Sequence, residues 1–295
     1  MDQPRQTDRT AKFWDGAHLD DWHADSLLAH PLIQGYMSLR AFGANASHLD
    51  LAIREIARRS RPGARILSVG CGAAVKERAI CAALPDREIV GIDIAAEALA
   101  RTRIEAERDG LHNLELRRGD FNDLDLKPDS FDIILGLGAI HHIEQLEAFW
   151  RQCRLALRPG GAILAQEYVG PNRFQWTDAQ VEHGNRALRT LVPSAHQVHH
   201  RSIASVPLET IIEIDPSEAV RAADIIPTCR AAGLEIETYQ GCGCGLLQPV
   251  LINQAHTFDP RNWDHNHVLF SLFAEEDRLI RAGELGDTYC MFIAV

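Results

Sequence analysis

The residues that decide the fold are Ala64-Arg65-Ile66-Leu67-Ser68-Val69-Gly70-Cys71-Gly72-Ala73-Ala74. Their apolar first half predicts a strand over 64–69, and a helical pattern follows over 74–84. Glycines at the bend let the backbone approach a ligand closely, and the first turn of the helix offers unpaired amide donors. On its own, an ordinary tight turn between a strand and a helix would have the same pattern.

Short apolar segments alternate with helical patterns on the C-terminal side of this bend. The pattern predicts further strands over 88–93, 113–119, 131–137 and 162–168, with helices over 95–109 and 143–157 between them. Such alternation indicates an α/β fold with a doubly wound parallel sheet and helices on both faces. Towards the C-terminus we expect strands over 234–239 and 287–295, and helices over 217–232, 246–256 and 267–282.

Composition excludes several classes of protein. The net charge of −11 disfavours a nucleic-acid partner, because a phosphate backbone would be repelled on average. No apolar run reaches 18 residues, and residues 1–15 do not form a secretory signal, so we expect neither membrane insertion nor export. Seven cysteines, an odd number, suit a reduced cytoplasmic protein. A small-molecule partner is expected, and the sequence is compatible with a monomer or a homodimer.

Acidic residues end the second and third predicted strands. Asp93 lies 21 residues after Gly72, where a carboxylate can accept hydrogen bonds from both hydroxyls of a ribose. Asp120 follows Gly119 and precedes Phe121, a pairing that suits an adenine amino group and the face of its ring. Each aspartate alone is more often a cap or a solvated loop residue. Together with the glycine bend they indicate one ligand site at the carboxyl edge of the sheet.

Six short motifs occur in a familiar order: Val69-Gly70-Cys71-Gly72, Gly91-Ile92-Asp93, Gly119-Asp120-Phe121, Phe131-Asp132-Ile133-Ile134, His141-His142-Ile143 and Leu157-Arg158-Pro159-Gly160-Gly161. Over about residues 64–168 the chain resembles the class I S-adenosylmethionine-dependent methyltransferases. The resemblance implies a seven-stranded Rossmann-like sheet with a reversed last strand, 287–295. It also implies S-adenosyl-L-methionine as cofactor.

The cofactor-binding residues follow from the same resemblance. The glycine bend would line the methionine part, Asp93 would hold the ribose, Asp120 and Phe121 would hold adenine, and 136–138 would flank the sulfonium. The full predicted set is Ser68, Gly70, Cys71, Gly72, Asp93, Ile94, Asp120, Phe121, Gly136, Leu137 and Gly138. Two departures concern the methionine end: the family often has an acidic residue where Ser68 stands, and a third glycine where Ala73 or Ala74 stands.

A nicotinamide cofactor is the main alternative ligand. Its fingerprint requires a glycine where Val75 stands, and the Pro-Gly-Gly turn is typical of methyltransferases, so we favour S-adenosylmethionine.

The pattern of helices and strands also divides the chain into regions. Residues 1–47 would form an N-terminal helical lid, and 48–295 a catalytic domain that binds the cofactor. Insertions at about 170–216 and 241–285 would add to the lid.

The predicted chemistry is methyl transfer to an oxygen or nitrogen of a small molecule or glycan. His141 or His142 is a candidate base for a hydroxyl acceptor, and Glu167 a candidate for orienting it. Each also has a plain structural interpretation: the histidine pair would cap the next helix, and Glu167 would be a solvated strand end. Tyr168, Arg173 and Trp176 are candidate substrate contacts, through ring stacking and pairing with an anion.

No metal site is predicted. His196, His199 and His200 have helical spacing but lack a recognised ligand pattern, and Cys242 and Cys244 lack a second cysteine pair.

Two other functions stay open. One is different chemistry on the same sulfonium, such as intramolecular cyclisation or attack on the aminopropyl chain with release of methylthioadenosine. The other is a non-catalytic binding subunit that retains the fold, which the intact Gly70, Gly72, Asp93 and Asp120 disfavour.

Overall fold

A seven-stranded sheet organises the molecule. The computed structural model describes residues 6–16, 27–44 and 46–295, and within them the strand order is β3-β2-β1-β4-β5-β7-β6. The first five strands pair in parallel, whereas β7 runs antiparallel to both β5 and β6, as predicted. The strands are β1 (Arg65–Val69), β2 (Glu88–Asp93), β3 (Leu114–Arg118), β4 (Phe131–Leu137), β5 (Leu157–Tyr168), β6 (Ile236–Gly243) and β7 (Tyr289–Ala294).

Eleven α-helices occur in the described part of the chain, and none of them is both long and apolar enough to cross a bilayer. They are α1 (Gln6–Gly16), α2 (Pro31–Phe42), α3 (His48–Arg59), α4 (Val75–Ala83), α5 (Ala96–Arg108), α6 (Leu146–Ala156), α7 (Asp178–Thr190), α8 (Leu208–Ile214), α9 (Ile225–Ala231), α10 (Leu247–Leu251) and α11 (Trp263–Arg281).

Successive residues of a strand point to opposite faces of the sheet, and here the residues on both faces are apolar. Leu67 and Val69 of β1 pack with helices α6 and α9 on one face. Ile66 packs with Ile56 of α3 and Ile80 of α4 on the other. The sheet is therefore buried between two helical layers, and its carboxyl edge is where loops can form a site.

A second hydrophobic core lies outside these layers. It joins α2, α7, α10 and α11 around buried residues such as Met37, Leu188, Leu251 and Leu272. These helices come from the segments that the sequence predicts to form a lid, namely 1–47, 170–216 and 241–285. We call this cluster of buried residues the lid core, after that prediction. The predicted N-terminal lid includes 1–5, 17–26 and 45, which lie outside the described residues.

Several predicted boundaries were wrong. Strand β6 runs to Gly243 rather than ending at 239, and α11 begins at Trp263 rather than at 267. The predicted helix over 217–232 begins only at Ile225, because the backbone turns before it: Ala219 has φ +46°, and a short 3₁₀ turn covers Ala222–Asp224. Strand β5 starts at Leu157 rather than after the Pro-Gly-Gly turn, with a register irregularity opposite Phe131 and Ile133. The helix predicted over 246–256 ends at Leu251.

The lid core contains one fully buried carboxylate. Oxygens of Glu276 in α11 accept hydrogen bonds from the backbone N–H groups of Cys244 (2.8 Å), Leu246 (2.9 Å) and Leu247 (3.0 Å). The hydroxyl of Tyr36 in α2 donates a fourth at 3.0 Å. Glu276 therefore ties the turn after β6 to two lid helices, and its loss would leave buried donors unpaired.

We predict that Glu276→Ala lowers the free energy of unfolding by about 3 kcal/mol, the scale of removing one partner from a buried charged network. The neighbouring Glu275→Ala is the matched control, since it breaks only partly exposed ion pairs with Arg186 and Arg278 and should cost less than about 1 kcal/mol. Urea denaturation measures both. Equal losses in the two variants would show that Glu276 does not organise the lid core.

Candidate active site

The glycine bend after β1 has the backbone that its sequence predicts. Gly70 and Gly72 have φ +63° and +53°, in the left-handed region that favours glycine. A Cβ on Gly70 would overlap the Cβ of Ala139, in the segment after β4, whereas a Cβ on Gly72 would meet nothing within 4 Å. The bend is thus packed against Ala139 at Gly70 and faces open space at Gly72.

Asp93 ends β2 beside this bend, with only 7% of its surface exposed. One carboxylate oxygen accepts from the N–H of Gly72 at 2.7 Å, and the other from the N–H of Ala95 at 2.8 Å. Burial raises the pKa of Asp93, while these two hydrogen bonds oppose the rise. Because each oxygen can accept a second hydrogen bond, the carboxylate still has acceptor capacity for a ligand hydroxyl.

Asp120 and Phe121 lie at the same edge, beyond β3. The N–H of Gly119 donates to the carbonyl of Asp93 at 2.9 Å, which holds the two strand ends together. Asp120 accepts from the N–H of Asn122 at 2.8 Å, and a ring carbon of Phe121 lies 3.3 Å from where a Cβ on Gly70 would stand. The structure therefore brings together the bend, Asp93 and the Asp120 turn.

Two residues that we did not predict lie beneath the bend. The hydroxyl of Ser68 donates to the carboxylate of Glu77 at 2.6 Å, and burial raises the pKa of that carboxyl. The ammonium of Lys76 in α4 donates to the carbonyl of Leu137, the last residue of β4, at 2.5 Å. The acidic group missing at Ser68 is thus supplied by the first turn of α4. The sequence signal for this carboxylate was Glu77 itself, an acidic residue five positions after Gly72 in the predicted helix.

The other predicted cofactor residues are placed as follows. The sulfur of Cys71 lies against Gly91 of β2, so this residue can offer only its backbone to a ligand, and Ile94 is buried. Gly136 leaves room for Ile140, whose side chain a Cβ there would overlap. Leu137 offers its carbonyl to Lys76, and Gly138 has φ +81°.

Glu167 at the end of β5 is almost fully buried, with 1% exposure. One of its oxygens accepts from the N–H groups of Ala139 (2.9 Å) and Ile140 (2.8 Å). The other lies 2.7 Å from Nδ1 of His141. Nε2 of His141 takes no part in the contact with Glu167, and it lies 3.7 Å from a carboxylate oxygen of Glu218.

His142 belongs to a second buried network. Its Nδ1 lies 3.1 Å from the hydroxyl of Ser217, which itself donates to Asp215 at 2.7 Å. The ring of Trp14 in α1 packs edge-to-face on His142, with centroids 5.3 Å apart. Burial, and secondarily the neighbouring His141, lowers the pKa of His142, so its imidazole is held neutral. Burial also raises the pKa of Glu218.

The three predicted substrate contacts are mostly engaged within the protein. Tyr168 is buried and its hydroxyl donates to the carbonyl of Pro171, while Trp176 lies in the lid core. Arg173 donates to the carbonyls of Pro216 and Glu218, at 2.8 and 3.1 Å, and thereby holds the segment that carries Glu218. Contact of these side chains with a substrate stays a prediction.

The histidines with helical spacing, His196, His199 and His200, lie in the segment 170–216 that we predict to belong to a lid. His196 stacks on Phe258 with centroids 4.2 Å apart, and Nε2 of His200 lies 3.2 Å from the carbonyl of Val250. Cys242 and Cys244 are buried free thiols.

We predict that the free energy of unfolding of Glu77→Gln increases relative to that of the native chain as the pH rises above about 4.3, the ordinary pKa of a glutamate. Burial raises the pKa of Glu77 in the folded state. The contribution of Glu77 to the stability of the native chain is therefore fully present below its unfolded-state pKa, and it falls as the pH rises towards its folded-state pKa. Urea denaturation at pH 4 to 7 measures the difference between the two proteins.

Glu237→Gln is the matched control. Hydrogen bonding to Arg59 lowers the pKa of Glu237, so its contribution to stability is fully present above the ordinary glutamate pKa and is lost only at more acidic pH, and the difference from the native chain should stay nearly constant between about pH 5 and 7. A difference between Glu77→Gln and the native chain that does not change with pH would contradict burial of an ionisable group there.

Comparison with known proteins agrees with this geometry. Residues 60–218, more than half of the chain, match the family model described as "Methyltransferase domain". The chain is similar to a sterol 24-C-methyltransferase of Gibberella zeae (31% identity, 37% of this chain and 29% of that one). It is also similar to a ubiquinone biosynthesis O-methyltransferase of Nitrobacter winogradskyi (29% identity, 39% and 45%). The alignments thus span less than half the length of these two relatives.

A solved structure shares the fold. It is phosphoethanolamine N-methyltransferase 2 of Haemonchus contortus in complex with S-adenosyl-L-methionine, with a TM-score of 0.53, 16% identity, and coverage of 90% of this chain and 56% of that one. This likeness shows the shared fold and agrees with the strand order. The family match shows that the chain belongs to the class I S-adenosylmethionine-dependent methyltransferases, whose cofactor is S-adenosyl-L-methionine.

Proposed function

We propose that this protein transfers the methyl group of S-adenosylmethionine to a small-molecule acceptor bound beside His141. The observation that carries the proposal is the position of the His141–Glu167 pair. It lies at the ends of β4 and β5, on the same sheet edge as the glycine bend and Asp93. Residues suited to the cofactor and residues suited to an acceptor therefore line adjoining parts of one edge.

The cofactor fits the residues at this edge. Gly72 faces open space, Asp93 retains acceptor capacity for ribose hydroxyls, and Phe121 offers a ring for adenine. The ammonium of Lys76 is placed to pair with the carboxylate of the methionine part, close to Gly138. When bound, S-adenosylmethionine supplies an electrophilic methyl group next to a positive sulfur.

The chain's own residues have to position the acceptor and exclude water. An acceptor atom must lie about 3 Å from the methyl carbon, in line with the bond that breaks. Glu167 fixes the imidazole of His141 through Nδ1 and so directs Nε2 at the acceptor side. Trp14 packs on His142 and covers this side, which makes α1 a candidate lid. A hydroxyl acceptor would lose its proton as its oxygen takes the methyl group, and Nε2 of His141 would hold that proton.

Product analysis tests the proposal. The purified protein is incubated with S-adenosylmethionine and fractionated small-molecule extracts, and S-adenosylhomocysteine is measured by mass spectrometry. Acceptor-dependent S-adenosylhomocysteine is expected. Methylthioadenosine instead would indicate attack on the aminopropyl chain, and would overturn the proposal.

We predict that His141→Ala lowers turnover about 100-fold or more, the range for losing a group that acts on the reacting atom. Its dissociation constant for S-adenosylmethionine should stay within about threefold of the native value, because Nε2 faces the acceptor side. The exposed His112 provides the control His112→Ala, which should leave both quantities unchanged. If cofactor affinity falls as much as turnover, His141 belongs to the cofactor site instead.

We also predict that Gly72→Ala weakens cofactor binding at least tenfold, because its methyl group would enter the open space at the bend. Gly110→Ala is the matched control. Gly110 has a similar backbone (φ +70°) with nothing within 4 Å, so both variants carry the same strain of about 1 kcal/mol. Calorimetry measures the binding. Equal affinities in the two variants would place the methionine part elsewhere.

A further inference from the structure

We propose that His141, His142 and Glu218 form a binding site for one divalent transition-metal ion. The inference rests on the proposed function, since the ion would lie where the acceptor is placed. One ligand atom from each of the three residues lies within 4.8 Å of the others, a spacing that a single ion can bridge with small side-chain movements. The sequence shows no ligand motif for this site, because Glu218 is 76 residues from His142 in the chain.

His141 is oriented as a metal-binding histidine. Its Nδ1 is bonded to the buried carboxylate of Glu167 at 2.7 Å, and the other oxygen of that carboxylate is held by two backbone N–H groups. A carboxylate on one imidazole nitrogen fixes the proton there and leaves the other nitrogen with its lone pair. That second nitrogen, Nε2, lies 3.7 Å from Glu218.

The proton of His142 is fixed by a similar chain of hydrogen bonds. The hydroxyl of Ser217 uses its single proton on Asp215, at 2.7 Å. Towards His142, 3.1 Å away, the serine oxygen can therefore only accept, which places the imidazole proton on Nδ1. The lone pair of His142 is then on Nε2. Both histidines thus have an outer-shell partner that selects one tautomer.

Asp215 provides an independent sign that a positive charge belongs here. It is 1% exposed, and its Oδ2 has no hydrogen-bond partner within the described residues, although it lies 3.7 Å from Nδ1 of His142. An unpaired buried carboxylate oxygen is costly. Three carboxylates, those of Glu167, Asp215 and Glu218, surround two imidazoles, so a dication would offset an excess of negative charge.

The donor set selects the kind of ion and acceptor. Two imidazole nitrogens and one carboxylate oxygen suit Zn²⁺, Fe²⁺, Co²⁺ or Mn²⁺ rather than Ca²⁺ or Mg²⁺. Three protein ligands leave positions open for an oxygen of the acceptor, whose proton would be lost to water on binding. The acceptor is then a hydroxylated molecule and the reaction an O-methylation. In this arrangement Nε2 of His141 is a ligand rather than the base predicted from the sequence.

Cobalt binding to the full-length chain tests the site. The protein is treated with a chelator, dialysed and titrated with Co²⁺, with calorimetry and visible absorption as readouts that need no activity. One Co²⁺ per chain is expected. His142→Ala and Glu218→Gln should each weaken binding at least tenfold while circular dichroism shows the native fold. The lid variant His199→Ala is the control, and should bind Co²⁺ like the native chain. Loss of binding in His199→Ala alone would place the ion in the lid and overturn the inference.

Activity separates failure of this inference from failure of the proposed function. Loss of S-adenosylhomocysteine production after chelation, with recovery on adding Zn²⁺ or Mn²⁺, is the expected result. Full production by the chelated protein with no bound metal would overturn the metal site and leave methyl transfer intact. S-adenosylhomocysteine released only with amine acceptors would overturn the metal site, because such acceptors need no metal-bound oxygen. Failure of the metal-loaded protein to release S-adenosylhomocysteine with every small-molecule fraction would overturn the proposed function itself.

Discussion

The proposed acceptor side of the site depends on the buried carboxylate of Glu167. β4 and β5 are neighbours in the sheet, so the end of β5 lies beside the turn that follows β4. Glu167 accepts from two backbone N–H groups of that turn and holds the ring of His141. Because a buried carboxylate is stable only with such partners, the charge itself enforces the shape of the turn.

The proposed cofactor side is built in a different way. Asp93 bonds to the glycine bend from the next strand, and Glu77 bonds to Ser68 across a single turn of chain. These contacts are short in sequence or join adjacent strands, so they form wherever the strand–turn–helix unit forms. The acceptor side instead joins Trp14, the His141–His142 pair, Glu167 and the 215–218 segment, which are far apart in the chain. One half can thus stay constant in a family while the other half varies.

The misassigned helix shows why sequence patterns fail at such a junction. Ser217 followed by Glu218 is typical of a helix start. In the structure, Asp215 accepts from both the N–H and the hydroxyl of Ser217, at 2.8 and 2.7 Å, and closes a turn instead. The serine is then committed to His142, a partner 75 residues away. Ser217 could start a helix or close a turn, and its contact with His142, which no short stretch of sequence contains, selects the turn.

Resemblance to the family, rather than a local pattern, predicted the reversed last strand. The amino-acid sequence by itself determined the alternation of strands and helices, the bounds of β2 and β4, and the positions of the glycine bend, Asp93 and Asp120 at strand ends. These depend on local periodicity and on turns, which act within a few residues. Only the tertiary structure decided that Ser68 has a carboxylate partner in α4, that Arg173 holds the backbone of the 215–218 segment, and that two histidines meet Glu218. The reason is physical: pairing of buried polar groups is settled by which segments the folded sheet brings together.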